Sequence, residues 1–152
     1  MSALKGKRKE YLTVKDLQKV LDSCKLNLNQ IDEVWPNIYI GNVAEAQNKA
    51  ALQKLDDSTH FDLDVYFQPA ADFIHKALKS PDGKVLVHCI MGMSRSSTLV
   101  LAYLMIYRHL PLKQALQKLI QKRAIYPNRN FLALLLDLDL HLTRKKKTCQ
   151  IL

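Results

Sequence analysis

The sequence predicts an α/β fold, with a central sheet flanked by helices, and three observations carry that prediction. Apolar residues make up 48% of the 152 residues. That is enough for one core and too short a chain for two comfortable domains. The run Lys84-Val85-Leu86-Val87-His88 follows a turn, Ser80-Pro81-Asp82-Gly83, and reads as a buried strand. Most of the remaining chain repeats its apolar residues at helical spacing.

Each element follows from a local pattern. Val14 to Cys24 places Val14, Leu17, Val20 and Leu21 on one face of a short helix. Glu33-Val34-Trp35-Pro36 and Ile38-Tyr39-Ile40-Gly41 read as two short strands, broken by the proline and closed by the glycine. Asn42 is placed to cap a helix through Leu55. Asp62 is placed to cap another to about Leu78, kinked or broken at Pro69. After the buried strand and the tight Cys89–Met93 segment, a helix from Ser94 to Tyr107 is apolar on nearly every side, so it is expected to be buried. Pro111 opens a helix to Arg123, and Asn128 caps a last one that aligns Phe131, Leu134, Leu135, Leu138 and Leu142. Leu136 to Leu142 also alternates with period two, but its continuity with the preceding pattern favours helix. Only two weak strands precede Gly41, whereas so apolar a strand as Val85–Val87 calls for neighbours on both edges. The sheet therefore reads as short of strands.

Charge is concentrated at the ends. Lys5, Lys7, Arg8 and Lys9 stand against Glu10 in residues 1–10, and Arg144 to Lys147 are unopposed in residues 143–152. Only +2 of the formal +9 falls on residues 11–142. A nucleic-acid binder carries its positive charge on a folded face, so nucleic acid is not the expected partner. No apolar run is long enough to span a bilayer. The first ten residues lack the apolar stretch of a secretory leader. Cys24, Cys89 and Cys149 are odd in number and far apart, which fits a reducing compartment better than a disulfide framework or a zinc site.

The informative segment is Val87-His88-Cys89-Ile90-Met91-Gly92-Met93-Ser94-Arg95-Ser96. A short loop between strand and helix turns successive backbone N–H groups inward and makes an anion nest. The helix N-terminus adds positive partial charge, and the Arg95 guanidinium can grip two phosphate oxygens at once. Gly92 permits the tight turn. Ile90, Met91, Gly92, Met93, Ser94 and Arg95 are thus the expected phosphate-binding residues, with Cys89 on the floor. A thiol in such a field is held as thiolate, facing phosphorus. The implied reaction is phosphoryl transfer to sulfur followed by hydrolysis. The G-x-x-x-x-G-K-[ST] nucleotide loop is absent from the sequence.

His-Cys-x-x-Gly-x-Ser-Arg-Ser resembles the signature of the cysteine-dependent protein tyrosine phosphatases. The strings HCIMGMSRSSTLVLAYLM, EVWPNIYIGN, FDLDVYFQPAADFIHKAL and YPNRNFLALLLDLDLHL are similar to the small atypical dual-specificity phosphatases, most of all the skeletal-muscle and testis subgroup. The resemblance implies a phosphatase-like α/β domain over residues 31–142, preceded by an arm and short helix (1–30) and followed by a basic tail (143–152). It implies hydrolysis of phosphotyrosine and phosphoserine or phosphothreonine in proteins, mitogen-activated kinases being common substrates in the wider family, with no metal or other cofactor. Carried over, Cys89 is the nucleophile, Arg95 grips the phosphate, Ser96 helps the thiolate leave and His88 helps set its ionisation. Asp57 matches the general acid, with adjacent Asp56 as the alternative. Asn128 matches a supporting position near the loop, and an ordinary helix cap explains it equally well.

The sequence departs from the family at one point. Leu55 is followed directly by Asp56-Asp57, where the family has a strand, a loop and a further strand. The domain thus reads as truncated internally at 55/56 and lacking two of the usual strands. This opens the alternative of a catalytically impaired, phosphoprotein-binding variant. Cys149-Gln150-Ile151-Leu152 fits the C-a-a-X lipidation pattern behind a basic run, which would bring the chain to membranes. Otherwise the expected location is cytoplasmic, with nuclear entry offered by Lys5-Gly6-Lys7-Arg8-Lys9.

Overall fold

The computed structural model describes residues 12–42, 63–89 and 93–151, with side chains as far as residue 144. The expected helix after Asn42 and the Asp62 cap lie outside those residues, as do residues 1–11.

Helix α1 (Val14–Asp22) opens on a capping box. The Thr13 hydroxyl accepts from the Asp16 N–H at 3.2 Å, and the Asp16 carboxylate accepts from the Thr13 N–H at 2.9 Å. The two exchanged bonds satisfy donors that a helix start leaves open. Leu17 and Leu21 on its inner face are buried against the later helices. This helix, which the sequence reading set apart from the domain, is thus part of the common core.

Strands β1 (Ile31–Trp35) and β2 (Ile38–Gly41) pair antiparallel across Pro36-Asn37, where Asn37 takes the left-handed conformation (φ 68°) that Asn tolerates in a tight turn. Arg108 lies over the Trp35 ring at 5.6 Å. Strand β3 (Val85–His88) joins β2 in parallel, in the register Ile38↔Val85 through Gly41↔His88. The order is β1-β2-β3, so among the described residues β3 has one neighbour and stands at the sheet's edge. The sheet is reduced, as the scarcity of strand-like segments suggested.

Between β2 and β3, a 3-10 turn (Leu63–Tyr66) leads into α2 (Phe67–Lys79). Pro69 neither kinks nor breaks this helix. It occupies the first turn, where its missing N–H would have had no intrahelical partner. Helix α3 (Arg95–Tyr107) is the centre of the molecule. Every residue from Ser96 to Met105 is buried, under β3, α2 and two later helices, α4 (Leu112–Ile120) and α5 (Arg129–Ile151). That all-round burial is why its sequence shows no polar face. Helix α5 does not stop at Leu142, where the sequence reading began a basic tail. It continues to Ile151, since Lys and Arg are good helix formers and suit a helix C-terminus.

Candidate active site

The junction of β3 and α3 is set by the buried residues of the two elements. Val85 and Val87 are buried on β3, and the ladder to β2 is prolonged by the Cys89 N–H, which donates to the Gly41 carbonyl at 3.4 Å. Cys89 therefore leaves the sheet in a fixed direction. At the far side of the loop, Ser96 is buried in the first turn of α3. The two ends meet: Cys89 Sγ lies 3.2 Å from Ser96 Oγ. Cys89 is half-buried, and among the described residues it is in no disulfide.

The C-terminal lip of the loop is held from outside. The Met93 carbonyl accepts from the Tyr126 N–H at 2.8 Å and also from the Ser97 hydroxyl. The Ser94 carbonyl accepts from the Ser97 and Thr98 hydroxyls and from the Thr98 N–H. The Ser94 hydroxyl does not cap its own helix. It accepts instead from the Asn128 N–H at 3.0 Å. Asn128 in turn caps α5, its Oδ1 taking the Phe131 N–H at 2.8 Å. Its side chain thus caps α5, while its contact with Ser94 is made by a backbone amide that any residue but proline would supply.

The sequence-predicted site residues divide as follows. Cys89, Met93, Ser94, Arg95, Ser96 and Asn128 come together around one loop, with His88 at the end of β3 and Arg95 as the first residue of α3. Ile90, Met91 and Gly92 lie outside the described residues, and so do Asp57, Asp56 and the side chain of Cys149. Sequence reasoning missed Ser97, Thr98 and Tyr126. The first two were detectable, because hydroxyls in a buried apolar helix must find partners and the i−4 carbonyl is the nearest. Tyr126 was not, because its loop contact is made by a backbone amide that any residue but proline supplies. Its phenol donates to Asp22 at 3.2 Å, and burial first, then this carboxylate, push it above its ordinary value. Arg123 was also missed. Its buried guanidinium bonds the Asp32 carboxylate and the Asn29 carbonyl, each at 2.8 Å. Among the described residues, no three His, Cys, Asp or Glu side chains converge as a metal site, and no helix is long and apolar enough to cross a membrane.

A strand that runs into Cys89, hydrogen bonds that hold the loop's C-terminal lip and an arginine opening a buried helix can hold an anion against a thiol. Comparison with known proteins shows the family. The family model "Dual specificity phosphatase, catalytic domain" matches residues 8–139. The chain is 42% identical to dual specificity protein phosphatase 26 of Homo sapiens and of Rattus norvegicus, covering 85% of this chain and 76% of each relative. The crystal structure of human DUSP28 superposes with a TM-score of 0.67 at 23% identity, over 77% of this chain and 97% of that one. That of DUSP15 gives 0.63 at 22% identity, over 78% and 95%. These last two speak for the fold, and the sequence relatives speak for the lineage. The chain belongs to the dual-specificity protein phosphatases.

Proposed function

We propose that this chain hydrolyses phosphotyrosine and phosphoserine or phosphothreonine in protein substrates through a cysteinyl-phosphate intermediate. The observation that carries the reading is the 3.2 Å approach of Ser96 Oγ to Cys89 Sγ at the strand-to-helix junction. In the first step the Cys89 thiolate attacks phosphorus while Arg95 and the loop amides hold the equatorial oxygens. The P–O bond to the substrate breaks, and the leaving oxygen takes a proton from Asp57. In the second step water attacks the thiophosphate and gives its proton to the Asp57 carboxylate. The S–P bond breaks, and the departing thiolate is stabilised by the Ser96 hydroxyl, now its donor. His88, behind Cys89 on β3, helps set the ionisation of the thiol. Mitogen-activated kinases are the substrate class suggested by the wider family. The odd number and wide spacing of Cys24, Cys89 and Cys149 support a reducing compartment, the cytoplasm.

The test is turnover of p-nitrophenyl phosphate by the purified chain beside its Cys89→Ser variant. The expected result is turnover by the parent and none by the variant. Turnover that survives the substitution would falsify the mechanism.

We place an internal gap at Leu55-Asp56. The alignment to the relatives runs over 161 positions and covers 85% of this chain, which is compatible with an internal gap. The second reading open to a chain with such a gap is retention of phosphoproteins without turnover. Stoichiometric binding of a phosphopeptide with no release of phosphate would identify it.

A further inference from the structure

The connection between α4 and α5, residues 121–128, is tied down at both of its ends by different parts of the molecule. At the start, Cys24, just beyond α1, donates its thiol to the Ile120 carbonyl at 3.3 Å. Arg123 is locked to Asp32 and Asn29. At the finish, Tyr126 and Asn128 reach the phosphate loop through Met93 and Ser94. Tyr126 makes both kinds of contact. Its phenol is held by Asp22, the last residue of α1, and its amide holds the Met93 carbonyl. Pro127 follows and keeps Tyr126 out of the helical region, so the residue has little freedom to adjust one bond without disturbing the other.

We infer that Tyr126 is a positioning residue for the phosphate loop, and that through its bond to Asp22 the N-terminal helix α1 helps to set that loop's shape. The inference rests on the proposed phosphatase reading, because it concerns the loop that holds phosphate there. The side chain touches neither substrate nor nucleophile. It acts through its own backbone amide, by fixing where that amide meets the carbonyl of Met93. Loss of the phenol leaves the peptide group in place but unanchored on the outer side, so the loop is expected to sample wider shapes and to hold an anion less tightly.

A partly exposed hydrogen bond of this kind bounds the effect at about threefold to tenfold. The experiment uses the full chain and reads alkylation of Cys89 by iodoacetate, located by peptide mass spectrometry, against increasing inorganic phosphate. This readout needs no turnover. The parent is expected to be protected by phosphate, and Tyr126→Phe is expected to need about threefold to tenfold more phosphate for half-protection. Asp22→Ala should give the same shift, and the double variant no more than either single one, since all three remove one bond. Asp22→Asn, which keeps an oxygen acceptor, should restore the parent's protection. A purely structural loss would lower the melting temperature without this pattern. Unchanged half-protection in Tyr126→Phe, or shifts that add in the double variant, would overturn the inference while leaving the phosphatase reading intact. A parent whose Cys89 is alkylated equally fast with and without phosphate would instead overturn the phosphatase reading, and the inference with it.

Discussion

Asp139 sits halfway along α5 and accepts the N–H of Leu112, the first residue of α4, at 3.2 Å. A carboxylate at a helix N-terminus is usually favoured. Here burial outweighs the bond and pushes Asp139 above its ordinary 3.8. The folded chain therefore holds this proton more tightly than the unfolded chain does. Stability falls as pH rises from the unfolded value through the raised folded one, and stays lower above it. Asp139→Asn keeps the oxygen that accepts from Leu112 and removes the charge. It is expected to melt at a higher temperature than the parent at pH 7, with the difference vanishing below about pH 3.8; a variant that melts lower at neutral pH would show that the charge is favourable. The same residue explains a feature of the sequence. Leu136 to Leu142 alternates like a strand because Asp139 is drawn partly inward to serve α4, while Leu140 is left 47% exposed.

The elements differ in how openly the sequence announces them. Helix α3 was legible because burial on every side forces an apolar composition, and strand β3 because Val85 and Val87 are buried; the loop between them was expected from the spacing of Cys89, Gly92 and Arg95. The paired bonds at Thr13 and Asp16 were also written in the sequence, as Thr-x-x-Asp ahead of an apolar run, yet with Asp where Glu is the usual partner. Arg123 was hidden, since a buried cation is legible only once Asp32, far away in the chain, is known to face it. The turn into β3 shows the opposite case. Asp82 takes φ 57°, and a Cβ on Gly83 would lie 1.9 Å from the Ala77 carbonyl oxygen, which already accepts from the Ser80 N–H and hydroxyl. Gly83→Ala must push α2 and β3 apart. It is expected to lower the free energy of unfolding by about 1–3 kcal/mol in urea titration. A loss below ~0.5 kcal/mol, the range of ordinary surface substitutions, would show that the turn yields freely.

For the molecule as a whole, the sheet is the unusual part. Val85 and Cys89 donate their amides towards β2, so by the alternation of a strand the Leu86 amide faces the opposite edge. Among the described residues no strand lies there. Native-state hydrogen exchange should therefore find Val85 and Val87 protected and Leu86 exchanging at least about tenfold faster. Equal protection of all three would mean that another segment covers the edge. The scarcity of strands was visible in the sequence as a count of apolar alternating runs. The position of β3 at the rim was not, because strand order is decided by pairing between segments far apart in the chain.

One consequence of the doubly bonded Met93 carbonyl concerns timing. The Tyr126 N–H donates to that oxygen, and the Ser97 hydroxyl shares its one proton between it and the Ser94 carbonyl. Because a peptide unit is planar and trans, orienting the oxygen also orients the Ser94 N–H the opposite way. In the proposed reaction that amide is oriented before the dianion arrives, so no rotation of its plane accompanies capture or release.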